Sequence, residues 1–320
     1  LDTVTGADTG SRTDYENILF SVTRNTGVFR FGANIGEYAF PVVGQSLNPT
    51  FRIGSNTDLF SYVPLAYVQY VPSSTWTFSA GKLGTLLGSE GIFTFQNANI
   101  QRGLVWNAEP VVSRGVRATY AQGKFSGNLE YNDGYYSGKL GAIEGLLGWA
   151  ASPNTTAQFA WIVPQASARS NPTAFIANRR EANLMLAQTF GKLQLNPYLL
   201  WIDSPGNTAL GFNGDERAFG AVFAANYTFD AGWSLAARYE SITNRSNASD
   251  PSLNADLVGF GPGSAATTWT LTPAFKTGHT SIRAEYSAVN LSSFTPGLGF
   301  GPAGILRSQT RIGAEIGVQF

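Results

Sequence analysis

The feature that most constrains this chain is a two-residue alternation that recurs from Asp14 to the last residue. Ile18, Phe20 and Val22 alternate with Asn17, Ser21 and Thr23, and Phe29, Phe31, Ala33 and Ile35 with Arg30, Gly32, Asn34 and Gly36. Asp58 to Val71 sets Phe60, Tyr62, Ala66, Val68 and Tyr70 on one side, and Trp76, Phe78 and Ala80 follow opposite Thr77, Ser79 and Gly81. The final stretch shows the pattern most cleanly: Ile312, Ala314, Ile316, Val318 and Phe320 interleave with Arg311, Gly313, Glu315, Gly317 and Gln319. Successive side chains of a strand point to opposite faces, so each segment is a strand with one apolar face and one polar face.

Composition decides where the apolar faces go. Charged residues are 13% of the chain, about half the ~25% usual in soluble domains. Aromatics are also 13%, and the chain has 36 glycines. No window approaches the ~20 apolar residues of a transmembrane helix. Low charge, many aromatics and amphipathic segments of about ten residues are what a transmembrane β-barrel requires. A soluble sandwich would show Lys and Glu on its polar faces; here those faces carry mostly Ser, Thr, Asn, Gln and Gly. Trp76, Tyr120, Tyr131, Trp149, Trp201, Tyr227, Trp233, Tyr239, Trp269 and Tyr286 fall near strand ends, as in the aromatic girdles of membrane interfaces.

The connections alternate as well. Tight turns rich in Gly, Pro, Asn and Asp alternate with long connections: Phe40 to Thr57, Leu86 to Pro110, Ala166 to Asn178, Ser204 to Glu216, Ser246 to Ala265 and Ser292 to Gly304. The expected architecture is an all-β, antiparallel, up-and-down barrel over residues 1–320, one domain, with short periplasmic turns and long extracellular loops. About fifteen strands are clear, and a barrel strand number is even, so about sixteen are expected, with fourteen as the alternative. The extra strand falls on Leu1 to Thr9. The chain begins at Leu1, which fits a secreted protein whose signal peptide has been removed.

The functional residues follow from the polar face. Alternation places Arg30, Arg117, Glu130, Glu144, Arg179, Glu181, Arg238, Glu240, Arg283, Glu285, Arg307, Arg311 and Glu315 on the inner wall of a wide, hydrated barrel. Both signs are present, which predicts weak ion selectivity. The longest connection, 86–110, carries Ile92, Phe93, Phe95, Ile100, Leu104, Val105 and Trp106. A segment that apolar is poorly placed in water; it is expected to fold into or over the pore, with Glu90, Arg102 and Glu109 at the narrowing.

Other chemistries find little support. Lys plus Arg and Asp plus Glu are both 21, against the basic excess of a nucleic-acid binder. There is no Cys, so no thiolate metal site or disulfide framework. The one histidine, His279, falls in the turn Thr277-Gly278-His279 and reads as a turn residue rather than a catalytic base. Asp250, Asn254 and Asp256 could offer oxygen ligands to calcium, but without the spacing of an EF-hand they read as a polar loop. No enzyme activity, cofactor or metal is expected. The function expected is passive diffusion of small hydrophilic solutes and ions; the alternative is a barrel that anchors long loops for a surface partner. Small wall residues Ala221, Ala225, Ala236 and Ala237 could serve lipid or a subunit contact.

Two resemblances add to this reading. An amphipathic last strand ending on Phe320 resembles the final strand of bacterial outer-membrane β-barrels. That resemblance implies an outer-membrane location, with outer-membrane lipid and lipopolysaccharide as surroundings. Gly81-Lys82-Leu83-Gly84, Gly88-Ser89-Glu90, Asn97-Ala98-Asn99-Ile100-Gln101-Arg102-Gly103, Pro110, Gly115-Val116-Arg117-Ala118-Thr119-Tyr120 and Asn132-Asp133-Gly134 are similar to motifs of the OmpL-like β-barrel porin family. Gln101-Arg102 stands where that family has Ser-Arg, and Tyr135-Tyr136 follows the Asn-Gly step. This resemblance implies an outer-membrane porin for small hydrophilic solutes or sugars and fixes no binding residue; the oligomeric state stays open, with a homotrimer, which general porins often form, as one assembly.

Overall fold

The computed structural model describes residues 13–46, 61–135, 138–164, 179–206, 215–246 and 256–320. Sixteen strands form one antiparallel sheet. They are β1 (Asn17–Arg24), β2 (Phe29–Tyr38), β3 (Leu65–Tyr70), β4 (Trp76–Gly84), β5 (Val112–Gln122), β6 (Phe125–Asn132), β7 (Ala142–Ser152), β8 (Thr155–Pro164), β9 (Arg180–Phe190), β10 (Leu193–Leu195), β11 (Tyr198–Ser204), β12 (Glu216–Thr228), β13 (Trp233–Ser246), β14 (Ala265–Thr277), β15 (Thr280–Ser293) and β16 (Ser308–Val318). Each strand pairs with its sequence neighbours, with one interruption. Strands β10 and β11 follow one another in the same place, and both pair with β9 and β12. The break falls at Asn196-Pro197, because proline has no N–H to give the ladder.

The apolar face points outward. Ile312 is 84% exposed, and Phe20 and Ile316 are each 73% exposed. Apolar area left in water costs about 25 cal/mol per Å², so a continuous band of this kind belongs in lipid. Cross-strand aromatic pairs mark its tight-turn edge: Trp76 with Tyr120 at 5.0 Å, and Trp233 with Phe275 at 5.0 Å between ring centroids. The tight turns lie at one end. In the turn Gly278-His279, Gly278 takes φ 54°, a left-handed conformation that glycine adopts without penalty. His279 accepts a bond from the Gln319 N–H at 2.9 Å and its ring lies 6.2 Å from Phe320. The histidine thus pins the chain's last strand to its turn.

The two ends of the described sheet lie close together. Thr94 receives Asn17 of β1 on its hydroxyl at 2.6 Å and Arg283 of β15 on its carbonyl at 3.1 Å. The expected strand at Leu1 to Thr9 lies outside the described residues. Three other expectations need correction. Of the strand read as 58–71, residues 58–60 lie outside the described residues, and the part described begins at Leu65, directly after Pro64, because proline cannot donate to the ladder and restricts the residue before it. A seventh long connection separates Asn132, the end of β6, from Ala142, the start of β7. Ala236 is buried inside the barrel, two residues from Arg238 on the same face of β13, so it offers nothing to a neighbouring subunit.

The interior also differs from a simple hydrated tube. From β7 to β13 the inner face carries Leu146, Ala160, Ile162, Met185, Leu200, Ile202, Ala218, Val222 and Ile242, all buried in one apolar cluster. Leu87, Leu104, Val105 and Ala108 of the 85–111 connection join it, together with Val258, Phe260 and Phe300 of other connections and Ala266, Val289 and Leu291 of β14 and β15. The inner wall from β7 to β15 therefore bounds a dry core, filled by the 85–111 connection and covered by Val258, Phe260 and Phe300.

Candidate functional site

The site is the connection 85–111 and the inner wall that holds it. Polar backbone inside a protein must find partners, and this segment has only two short 3₁₀ turns, Thr94–Gln96 and Trp106–Ala108. Some of its remaining N–H and C=O groups bond within the segment, as Gly91 N–H does to Asn97 Oδ1 at 2.6 Å, and others look to the wall. Three glutamates receive the donors in pairs. Glu285 accepts Ile100 N–H at 2.6 Å and Gln101 N–H at 2.9 Å. Glu240 accepts Leu104 N–H at 3.0 Å and Val105 N–H at 3.1 Å. Glu144 accepts Leu86 N–H at 2.5 Å and the Thr85 hydroxyl at 2.9 Å.

Arginines take the carbonyls. Arg283 donates to Asn97 O at 2.7 Å and Thr94 O at 3.1 Å. Arg238 donates to Gln101 O at 3.0 Å, and Arg179 to Ala108 O at 3.2 Å. Carboxylates meet N–H groups and guanidiniums meet C=O groups, so the wall works as a two-sign template for one loop conformation. Gly103 is required for the approach: a Cβ there would lie 2.1 Å from Glu240 Oε1.

Of the loop's own charges, Arg102 and Glu109 are buried and Glu90 is partly buried. Glu90 accepts Gly103 N–H at 2.8 Å and pairs with Arg238, which also lies 3.4 Å from Glu240. Burial pushes the Glu90 carboxyl above its usual range, opposed chiefly by Arg238. Arg102 lies 5.7 Å from the Phe40 ring and 5.6 Å from the Trp106 ring. Burial lowers it to about 10, so it stays cationic at neutral pH. Glu109 accepts Asn183 Nδ2 at 2.8 Å. Burial, and then Glu181 nearby, pushes its carboxyl well up.

That shift gives a sign for pH dependence. The folded protein prefers neutral Glu109, so its contribution is full below the unfolded carboxyl pKa and is lost as pH rises towards the raised folded value. The Glu109→Gln variant is expected to remove up to about 1.4 kcal/mol of slope per pH unit, seen as a smaller drop in melting temperature between pH 5 and pH 8. An unchanged drop counts against the placement of Glu109.

The sequence-derived site residues divide into groups. Glu90, Arg102 and Glu109 enter the lumen, and Glu144, Arg179, Arg238, Glu240, Arg283 and Glu285 hold the loop. Glu181 lies buried beside Glu109. Arg117 pairs with Glu130 at 2.6 Å and donates to Gly84 O at 2.6 Å, at the loop's root. Glu315 pairs with Arg283 at 2.5 Å. Arg311 reaches Val42 O at 3.0 Å and Gln101 Oε1 at 3.3 Å. Arg30 lies apart, at the tight-turn end, bonded to Gly27 O at 3.0 Å. Arg307 is exposed and straps Leu291 O and Ser292 O, so it is not a wall residue.

The wall also uses neutral groups that the charge pattern missed. Asn99 donates to Thr272 Oγ1 at 2.7 Å, Gln101 to Ser287 Oγ at 2.9 Å, and Thr268 to Glu240 at 2.6 Å. Their signal was available in the Asn97-to-Gln101 run, whose amides match hydroxyls on the polar faces of β14 and β15. Asp256 caps Val258, Gly259 and Gly261 N–H at 3.0, 2.7 and 2.8 Å; Asp250 and Asn254 lie outside the described residues.

Comparison with known proteins fits this architecture. Solved outer-membrane proteins share the fold. The channel DcaP of Acinetobacter baumannii is 10% identical, with a TM-score of 0.59 over 92% of this chain and 82% of its own. The loop L8 deletion mutant of OmpT of Vibrio cholerae is 11% identical, with a TM-score of 0.56 over 92% and 87%. In vitro folded OmpT, in its trimer form, is 13% identical, with a TM-score of 0.53 over 91% and 85%. No curated protein matches the chain. The model of the family described as "Putative beta-barrel porin-2, OmpL-like" matches residues 3–320. With that match over nearly the whole length, the chain belongs to the OmpL-like β-barrel porins of the bacterial outer membrane.

Proposed function

We propose that this porin passes small hydrophilic solutes and ions by passive diffusion, and that the 85–111 loop sets its aperture. The observation that carries the reading is the buried loop anchored by wall residues from β7, β13 and β15. A loop merely shielding an extracellular mouth would not need carboxylates from strands this far apart. Solute passes beside the loop on the side away from the dry core, towards β2 to β5 and β16. There Arg30, Arg117, Arg311 and Glu315 supply both signs of charge. Such a wall gives weak ion preference.

The test is planar-bilayer recording. The intact protein is expected to show discrete ohmic steps and a small reversal potential in a salt gradient. Deleting residues 92–101 is expected to raise the unit conductance. An inserted barrel with no conductance would favour an anchoring role, and an unchanged conductance after deletion would remove the loop from the aperture. A homotrimer is the proposed assembly, with outward Ala221, Ala225 and Ala237 allowing close approach. Native mass spectrometry of the detergent-extracted protein checks it, and a monomer alone would refute it.

A further inference from the structure

The outer wall is apolar over most of its height, but a row of charged residues crosses its long-loop end between β9 and β13. Arg180, Asp203, Arg217 and Arg245 are consecutive register partners across β9, β11, β12 and β13. All four fall on the outward face, at the long-loop ends of their strands. Two residues lower, Ala182, Trp201, Phe219 and Thr243 form the next outward row in the same register, and Trp161 of β8 pairs with Ala182. A groove of about 700 Å³ runs over both rows.

Asp203 lies 3.4 Å from Arg180 and 3.2 Å from Arg217, which orders both guanidiniums. Arg245 is exposed beside them. Three arginines and one aspartate leave the row with a charge of +2. A row of cations directly above an aromatic wall fits an amphiphile that carries anionic groups where its acyl chains begin.

We propose that this groove binds the phosphorylated glycolipid of the outer leaflet, lipopolysaccharide. The inference rests on the outer-membrane barrel, which fixes this end of the wall at the outer leaflet. The phosphates lie on Arg217 and Arg245, whose planar forks take phosphate oxygens in pairs. An acyl chain runs down over Trp201 and Phe219, and Trp161 closes the side. Asp203 holds Arg180 and Arg217 in place rather than meeting the ligand.

The experiment titrates the full-length, detergent-folded barrel with lipopolysaccharide and with its dephosphorylated form. R217Q/R245Q keeps the Arg180–Asp203 pair and takes the row from +2 to 0. Each basic residue near an anionic surface is worth about a factor of five, so affinity is expected to fall about thirtyfold. R217K/R245K is expected to retain most of the binding, and dephosphorylated lipid is expected to bind the wild type and R217Q/R245Q alike. Unchanged heat-modifiable gel mobility and unchanged conductance show that the variants fold. Equal affinity of wild type and R217Q/R245Q for intact lipopolysaccharide overturns the inference, as does a change in subunit number without a change in lipid affinity. A barrel that is silent in bilayers yet loses lipid affinity in R217Q/R245Q would refute the diffusion reading and leave this one standing.

Discussion

Replacing Glu240 and Glu285 together by alanine is expected to free the loop from the wall and raise unit conductance, with frequent transitions between open levels. Each carboxylate accepts two successive backbone N–H groups from the loop, and each also accepts a threonine hydroxyl. Hydrogen bonds to a charged group contribute about 1.5–3 kcal/mol each, so the double variant removes several at once. The loop's N–H groups then lose their partners in a dry sector, where leaving them buried costs about 1–3 kcal/mol apiece. The least costly response is for residues 100–105 to leave the wall and take up water. Single-channel recording checks this; a wild-type conductance with wild-type noise would show that these bonds do not hold the loop.

The second large effect is expected at Arg238. Its side chain is 1% exposed and lies between Glu90 of the loop and Glu240 of the wall. It also bonds Gln101 O at 3.0 Å and Thr270 Oγ1 at 3.3 Å. Removing one partner of a buried ion pair typically costs 3–5 kcal/mol, about what a lone buried charge demands. Arg238→Met is therefore expected to destabilise the folded barrel by about that amount, measured by urea titration of the heat-modifiable form. The triple variant R238M/E90Q/E240Q removes the stranded carboxylates and is expected to recover much of the loss. A near-neutral R238M would mean that Glu90 and Glu240 do not share this cation.

Much of this architecture is legible in the alternation itself. Ile312, Ile316 and Phe320 lie on the lipid face, and Arg311 and Glu315 on the inner face, as a period of two requires. The loop's entry into the lumen is also legible, since a run containing Ile92, Phe93, Leu104, Val105 and Trp106 cannot rest in water. The dry sector is harder to read. Leu146-Leu147 and Leu199-Leu200-Trp201 place apolar residues on consecutive positions, the mark of a strand covered on both faces, but the outward residues of these runs already satisfy a lipid-facing reading. What the inward ones pack against comes from a segment far away in sequence. The same distance hides the clamps. A wall glutamate looks alike whether it faces water or two loop N–H groups, so Glu240 and Arg30 read as equals although only Glu240 holds the loop. The strand boundary at Leu65 turns on Pro64, a local signal outweighed by the alternation around it.

The placement of the loop against the wall admits a direct measurement, because the chain has no cysteine of its own. Asn99 Nδ2 and Thr272 Oγ1 are 2.7 Å apart, and both residues are buried. Asn99→Cys and Thr272→Cys, introduced together, are to be treated with a short thiol-reactive crosslinker in the folded, membrane-inserted protein. The account predicts near-complete loop-to-wall crosslinking on a denaturing gel, with unit conductance held at the uncrosslinked value. A folded, conducting barrel that gives no crosslink between these positions would contradict it.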